Sequence, residues 1–418
     1  MSGAVPSIGP AEIKALRRLL VDARADQITR VVAMIDQLPE RGEADDLLTP
    51  LRTRLAEINP PRPLNFARLL FTPIDPLIIP GQRWRRGMLG VPRTVLMTLA
   101  RQVHRDFGEH AAAIEAEIAG RTLADQAMIF AAGAKLWPAA ARILTGATPP
   151  ADWQDATGLP GSDYPAIAGP IACILAQAVA IQTLIDGPAA GDAETDPEMV
   201  LRTLLVFATE RGSHELASMI ALLMHRLPGC TRLQDLAREV TATADKDGRK
   251  AAERATEHTL DSLANSPAIA LAASGAGGLA HAAETIAHAT TLLTGLTEQS
   301  AARPERQVRI DELRRSIDRA CRDSFTALLE RHLLAPLALL GADTDDVTMT
   351  GLEAVARDLR AFEQASRKAG SGELYDRRLR DAAKTVATMQ LAPIDRMRLI
   401  EILTNSENAL TLFRIRPI

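Results

Sequence analysis

Three side chains in this sequence are spaced so that they could bind a metal ion from one face of a helix. His281, Glu284 and His288 lie at positions i, i+3 and i+7 of an alanine-rich segment. Residues at these spacings share a helical face, and Glu and His side chains project inward in this way in metal-binding bundles. Three protein ligands leave a coordination position open, so a closed site needs a ligand from elsewhere. The sequence offers Glu210, His214, His225, Glu257 and His258 as further candidates.

A second cluster combines cations with aromatic rings between Asn65 and Arg93. This stretch holds four prolines, five arginines and three of the thirteen Phe, Trp and Tyr residues of the chain. Eight arginines and one acid lie between Arg62 and Arg105, a local charge of +7 in a chain whose formal net charge is −4. Trp and Arg often anchor protein interfaces, and arginines beside apolar side chains also bind phosphates at membrane surfaces.

This cluster has a functional and a structural interpretation. In the functional one, Phe66, Phe71 and Trp84 anchor an acidic protein partner or an anionic membrane surface. The cations that would contact carboxylates or phosphates are Arg83, Arg85, Arg86 and Arg93. In the structural one, the rings fill the core between helices while the arginines cover its outside and pair with acids. Nucleic-acid binding is not predicted, because no recognition motif accompanies the charge.

A glycine-rich stretch, Gly275 to Ala280, matches the G-x-G-x-x-A pattern of dinucleotide-binding loops. That fold requires a buried strand before the glycines, and the preceding AIALAA is a poor strand. It also requires an acid at the end of a second strand about 20 residues later, and we find none that fits. The sequence therefore favours glycines that separate two closely packed helices, and we expect no cofactor.

Other catalytic signatures are missing from the sequence. It contains no G-x-S-x-G, no G-x-x-x-x-G-K-[ST] and no H-E-x-x-H. Its three cysteines, Cys173, Cys230 and Cys321, are far apart and lack C-x-x-C spacing, which argues against disulfides and zinc and favours a reducing cytoplasm. Whether the protein is an enzyme stays undecided, with a non-enzymatic role favoured.

The composition predicts an all-α fold that positions these residues. Aromatic residues make up only 3% of the chain, and its apolar content is dominated by Ala and Leu, which favour helices over strands. We expect an irregular multi-helical bundle or helical array of roughly 12–15 helices, because no fixed repeat period is detectable. Arginine far outnumbers lysine, which indicates a GC-rich bacterial genome.

A Pro/Gly-rich break at 145–170 and a second, acidic break at 186–198 suggest a division of the chain. We predict an N-terminal helical region, 1–145, containing the unusual segment 62–93, then a linker or long loop at 146–165 and a C-terminal bundle at 166–418. Alternatively, the breaks are loops within one continuous domain. Helices are expected at 11–38 and 43–58, and 198–226 and 305–340 are each predicted as one long helix.

One helical segment could span a membrane, and another could mediate self-association. The uncharged run Tyr164–Ile185 is long enough to span a bilayer, but Ala, Gly, Pro and Gln dilute it, so a buried helix is favoured. The apolar stripe of 305–340 could form a dimer seam, although ordinary packing is favoured. The N-terminus lacks the pattern of a signal peptide.

Together these patterns predict a cytoplasmic helical adaptor or scaffold protein. Residues 62–105 would contact an acidic protein partner or, peripherally, an anionic membrane surface, and self-association is a further expectation. The alternative is an all-α enzyme or a metal-binding bundle centred on His281, Glu284 and His288. That alternative is weaker because no Glu-x-x-His pair is repeated on two helices.

Overall fold

The computed structural model describes residues 62–407 except 147, 187–195, 228–232, 243–245, 276, 301–302, 343 and 371, together with 23, 27–28 and 30–32. The helices predicted at 11–38 and 43–58 lie almost entirely outside the described residues. Cys230 also lies outside them.

The prediction of an all-α fold is confirmed. Within the described ranges the chain forms eighteen α-helices, more than the 12–15 expected for the whole sequence. Several expected long helices are broken into shorter ones, which accounts for the higher number. One two-stranded parallel pair accompanies them, in which β1 (Ile78–Ile79) aligns Ile78 with Val91 of β2 (Val91–Pro92).

The chain divides into two compact units, and the first comprises residues 61–262. Short 3₁₀ turns connect several of its helices, at Thr72–Leu77, Gly81–Arg83, Arg93–Val95 and Gly161–Asp163. Its helices are α1 (Phe66–Phe71), α2 (Leu96–Phe107), α3 (Glu109–Ile118), α4 (Gln126–Gly146), α5 (Trp153–Thr157), α6 (Tyr164–Ala176), α7 (Ala178–Asp186), α8 (Pro197–Thr209), α9 (Ser213–Arg226), α10 (Leu233–Ala242) and most of α11 (Lys246–Ala264).

Helix α4 is the centre of this unit, because α1, α2, α3, α6 and α7 all pack against it. Its apolar residues Ile129, Leu136, Trp137 and Leu144 are buried. Helix α6 is apolar on almost every side, with eight residues of 167–175 buried between α4 and α9. A helix that is hydrophobic all round is expected inside a core, which agrees with this placement.

The helix predicted at 198–226 is two helices, because the chain turns between α8 and α9. Gly212 has φ of +142°, a conformation that residues with a Cβ rarely adopt. The periodic apolar pattern continues on both sides of this glycine, and for that reason the sequence pattern alone did not reveal the break.

The second unit contains the described residues before residue 61 together with those from Leu263 onward. Its helices are α12 (Pro267–Ala273), α13 (Leu279–Ser300), α14 (Pro304–Leu329), α15 (Ala335–Ala338), α16 (Asp346–Arg367), α17 (Glu373–Thr388) and α18 (Pro393–Leu403). Helix α13 packs along α16, and α14 lies against both. At their centre the rings of Phe325 and Phe362 are stacked, and Tyr375 meets Phe325 edge-on at 5.0 Å between ring centroids.

The helix predicted at 305–340 is also broken. It consists of α14, a π-helical turn at Glu330–Leu334, and α15. Its apolar stripe packs within its own unit, where Ile310, Ile317 and Cys321 are buried and only Val308 of that stripe is exposed. This packing is the ordinary use of the stripe that the sequence favoured over a dimer seam.

The chain passes from one unit to the other between residues 60 and 61 and again near the end of α11, and not at 146–165. Helices α4 and α6, which flank the segment 146–165, pack against each other within the first unit. That segment is therefore a connection inside one unit, shaped by α5 and a 3₁₀ turn, although its Pro and Gly content suggested a linker.

One described helix is long and apolar enough to span a membrane by length and composition. It covers Gln126–Thr145, and half of its most apolar window is buried. The run Tyr164–Ile185 would count as a second candidate only as a pair, since α6 and α7 are bent by 56° at their junction. Core helices of water-soluble proteins also meet this criterion, so the finding is weak evidence for a membrane span.

Candidate functional site

The three aromatic residues predicted to anchor a partner are buried. Phe66, Phe71 and Trp84 are each about 5–6% exposed. The ring of Phe66 meets the imidazole of His104 edge-on, with 5.0 Å between their centroids. The prediction that these rings form a contact surface is therefore wrong, because they fill the core of the first unit, as in the structural interpretation.

The prolines of the same segment leave two carbonyl oxygens without a main-chain hydrogen-bond donor. Pro73 and Pro76 have no N–H, so neither can donate a hydrogen bond to the carbonyl four residues earlier. Distant side chains supply these donors. The indole of Trp137 donates to the Leu69 oxygen at 2.9 Å, and Arg226 donates to the Thr72 oxygen at 2.6 Å.

Burial of Arg226 has a cost that the hydrogen bond offsets. Desolvation lowers the pKa of this guanidinium, and the nearby Asp75 carboxylate acts in the opposite direction. The cation thus belongs to the internal structure, holding the 3₁₀ turn Thr72–Leu77 against α9. The inner side of the segment 65–93 therefore belongs to the core of the first unit.

The predicted arginines, in contrast, lie on the outside. Arg83, Arg85, Arg86 and Arg93 are all exposed. Arg86 has a carboxylate within ion-pair distance, since its Nε lies 3.4 Å from Oδ1 of the buried Asp163. The contact is an ion pair and not a hydrogen bond, and Asp163 Oδ1 has no hydrogen-bond partner among the described residues.

Arg83 and Arg93 are on neighbouring parts of the surface. The turn that contains Arg83 packs against β2, and a Cβ added at Gly81 would lie 2.6 Å from Cγ2 of Thr94. Arg85 bends back onto its own turn, where its Nη1 donates to the carbonyl oxygens of Gln82 and Trp84.

Helix α2 extends this cationic region. Arg93, Met97, Arg101 and Arg105 lie four residues apart, and all are exposed, so they share one face of the chain. Arg105 is paired with Asp106 at 2.8 Å. We call the exposed residues Arg83, Arg85, Arg93, Arg101 and Arg105 the arginine surface. Within the described ranges only Arg105 of this set forms an ion pair with a carboxylate.

The predicted metal ligands do not form a site. His281 and Glu284 are exposed on α13, and His288 is partly buried on the same helix. In the part of the chain that the structure describes, no three His, Cys, Asp or Glu side chains are placed to hold a metal ion. The three residues do lie on one helix, but no second helix among the described residues contributes the ligand that closure requires.

Two of the other candidate histidines, His214 and His258, are largely buried. Nδ1 of His214 lies 3.0 Å from Nη2 of Arg254, which also donates to the Gly87 oxygen at 2.7 Å. This guanidinium contact occupies one of the two ring nitrogens through which a histidine can bind a metal. Burial lowers the pKa of His214 and of His258, so both imidazoles are held in the neutral form.

The glycine-rich stretch is a turn between helices. Gly275, Gly277 and Gly278 have positive φ angles, and they connect α12 to α13. A Cβ at Gly275 would lie 2.5 Å from the Leu328 side chain, so a close approach of two helices requires this glycine. No strand precedes the glycines, as the sequence analysis expected, and the stretch lacks the setting of a dinucleotide site.

Two charged residues near the start of α9, Arg211 and Glu215, were not among the candidates that the sequence offered. Residues 210–215, Glu-Arg-Gly-Ser-His-Glu, were assigned to the middle of a helix, but 210–212 form a turn and 213–215 are the first turn of α9. Arg211 and Glu215 line a cavity of about 230 Å³. Gly212 was the available signal, because a glycine flanked by charged residues inside a helical pattern often marks a break.

Comparisons of the chain with protein-family models, with curated proteins and with solved structures found no match.

Proposed function

We propose that this protein is a helical adaptor whose arginine surface binds an acidic segment of a partner protein. One observation supports the proposal: the guanidinium groups of Arg83, Arg85, Arg93 and Arg101 are exposed, and none forms an ion pair among the described residues. Unpaired arginines suit carboxylates because the guanidinium can donate two parallel hydrogen bonds to one carboxylate group.

An acidic protein is favoured over a membrane because of what the surface lacks. Phe66, Phe71 and Trp84 are buried, so none of these three rings is available to insert at the headgroup boundary. Exposed methionines accompany the arginines instead, with Met97 52% exposed in the row on α2 and Met88 37% exposed near Arg85. Methionine adapts its shape to different apolar contacts, which is useful on a protein-binding surface.

The energetics define what kind of interaction to expect. Each exposed ion pair contributes only about 0.2–1 kcal/mol, so several must act together. The resulting association is expected to be fast and strongly weakened by salt, because the charges are in water. High affinity would require apolar contacts as well, and Met88 and Met97 are the side chains that could provide them.

The test compares two triple variants of equal charge. The first carries Arg83→Ala, Arg93→Ala and Arg101→Ala. The second, a matched control, removes three exposed arginines of the other unit: Arg331→Ala, Arg377→Ala and Arg378→Ala. The probe is a fluorescently labelled peptide of Glu and Leu residues, with binding measured by anisotropy at several salt concentrations. We expect about tenfold weaker binding for the first variant, from three contacts of about 0.5 kcal/mol each.

Two outcomes would contradict the proposal. If both triple variants bind the peptide equally, the charge at 83–101 has no special role. In the other outcome, the parent protein does not bind the peptide but sediments with phosphatidylserine vesicles, and the first variant fails to sediment. The surface then binds membranes, and the adaptor role is wrong. Circular dichroism of each variant verifies that the helices are retained.

A further inference from the structure

A cavity in the first unit combines an apolar wall with one cation and one anion. It has a volume of about 230 Å³ and lies among α4, α6 and the start of α9. Leu144, Pro165, Ala168 and Ala172 form its apolar side, and Arg211 and Glu215 form its charged side. Ligand sites are commonly mostly apolar with a few convergent polar groups, and drug-sized ones occupy ~300–1,000 Å³. This cavity is suited to a smaller molecule.

The two charged side chains do not neutralise each other. Arg211 lies with its guanidinium 3.4 Å above the Phe207 ring and donates from Nη1 to the Phe207 carbonyl oxygen at 3.2 Å. Among the described residues, Glu215 forms no ion pair and accepts no hydrogen bond. A carboxylate and a guanidinium four residues apart could pair easily, yet here they face the same cavity separately.

Glycines on two elements make room for the carboxylate. A Cβ added at Gly169 of α6 would lie 2.7 Å from Oε1 of Glu215, and one added at Gly212 would lie 2.7 Å from Oε2. These distances are too short for a real Cβ, so a side chain at either position would displace the carboxylate. The position of Glu215 in the cavity thus depends on two residues that lack side chains.

The remaining polar lining is uncharged. Cys173 borders the cavity, and burial raises the pKa of its thiol to about 12, so it contributes a small neutral surface. The hydroxyl of Tyr164 donates a hydrogen bond to Oε1 of Gln102 at 3.0 Å and is already used. The cavity therefore offers a positive group, held over the Phe207 ring, and a negative group that forms no ion pair among the described residues, beside an aliphatic wall.

We propose that this cavity binds a small α-amino acid with an aliphatic side chain. Its ammonium group would pair with Glu215, its carboxylate with Arg211, and its side chain would lie against Ala168 and Ala172. A zwitterion fits because it brings both charges that the cavity can neutralise at once. This inference is independent of the arginine surface, since no residue is shared between the two.

Leucine is the probe, and two molecules that each lack one of its charged groups are the comparisons. These are 4-methylpentanoate, which lacks the ammonium group, and isopentylamine, which lacks the carboxylate. Calorimetric titration of the full-length protein should show leucine binding about 10- to 100-fold more tightly than either, the effect of losing one hydrogen-bonded charge.

Variants assign the two ends of the ligand. Glu215→Gln should weaken leucine binding at least tenfold and leave 4-methylpentanoate binding unchanged. Arg211→Met should also weaken leucine binding at least tenfold, but it should leave isopentylamine binding unchanged. Gly169→Ala should weaken leucine by displacing the carboxylate without removing it. Glu210→Gln, an exposed glutamate one turn earlier, is the matched control. Unfolding midpoints without ligand identify any variant that is simply unstable.

The proposal is overturned by any of three results. Leucine and valine could fail to bind at millimolar concentration, 4-methylpentanoate could bind as tightly as leucine, or Glu210→Gln could weaken leucine as much as Glu215→Gln. The second result would assign the cavity to simple carboxylic acids, with no role for Glu215.

Discussion

The indole nitrogen of Trp137 donates a hydrogen bond of 2.9 Å to the carbonyl oxygen of Leu69, and both groups are buried. In an uninterrupted helix this oxygen would accept from the N–H of residue 73, but residue 73 is proline. The tryptophan thus replaces a main-chain donor that the sequence removes. A buried carbonyl without a partner is costly, so this bond stabilises the position of α1 against α4.

Changing Trp137 to Phe should lower the free energy of unfolding by about 1–3 kcal/mol beyond the loss of ring area, because the Leu69 oxygen loses its donor. Urea denaturation measures the change. The second variant, Pro73→Ala, restores an N–H at position 73. In that background Trp137→Phe should cost clearly less, and an equal cost in both backgrounds would contradict the proposed replacement.

A buried carboxylate in the second unit gives a further prediction. Glu363 is fully buried and accepts from Nη1 of Arg360 at 2.7 Å and from Nε of Arg367. Glu363→Gln removes the charge while two cations stay beside it, and we expect a loss of about 3 kcal/mol in unfolding free energy. The control is Asp381→Asn, whose partner Lys384 is exposed, and it should change stability little. Equal effects would show that the buried network adds nothing.

The fold class could be predicted from the sequence because helix propensity is a local property. Ala and Leu content and the apolar period predicted that helices form, and the all-α fold is confirmed. The breaks at Gly212 and at Glu330–Leu334 could not be predicted in this way, since the apolar pattern continues through both. What changes there is the backbone conformation, which the pattern does not record.

In the 62–105 region, the sequence predicted which side chains are exposed better than which are buried. Exposure of the arginines was predictable from the cost of burying a charge. The burial of Trp84 was not, because a ring beside cations can serve either as a surface anchor or as core. Glu215 was missed for a related reason: Gly169, which makes room for it, is 46 residues away in the sequence.

Two neutral imidazoles should make stability depend on pH. Burial lowers the pKa of His258, and burial with the Arg254 cation lowers that of His214. Below the ordinary pKa of about 6.5 the unfolded chain takes up protons that the folded chain does not, so the free energy of unfolding falls as pH drops. The expected slope is about 1.4 kcal/mol per pH unit for each histidine, until the pH reaches its lower folded pKa.

Replacing His258 by Phe separates this effect from general acid sensitivity. Nε2 of His258 is buried without a hydrogen-bond partner among the described residues, so a carbon ring is tolerated there. The variant should show a shallower fall in unfolding free energy between neutral and mildly acidic pH, measured by urea denaturation at each pH. His281→Phe, on the exposed face of α13, is the comparison. Identical slopes in the parent and the His258 variant would contradict the assignment.

The two described cysteines should be unreactive while the protein is folded. Burial raises the pKa of Cys173 to about 12 and that of Cys321 to about 11, so neither forms the thiolate that attacks disulfide reagents near pH 8. In a Cys230→Ser variant, a chromogenic aromatic disulfide should therefore react slowly in buffer and with two thiols in denaturant. A fast reaction of one thiol in buffer would mean that a side chain lies closer to water than its packing indicates. If mass mapping assigned that thiol to Cys173, the reagent would reach it through the cavity that Arg211 and Glu215 line.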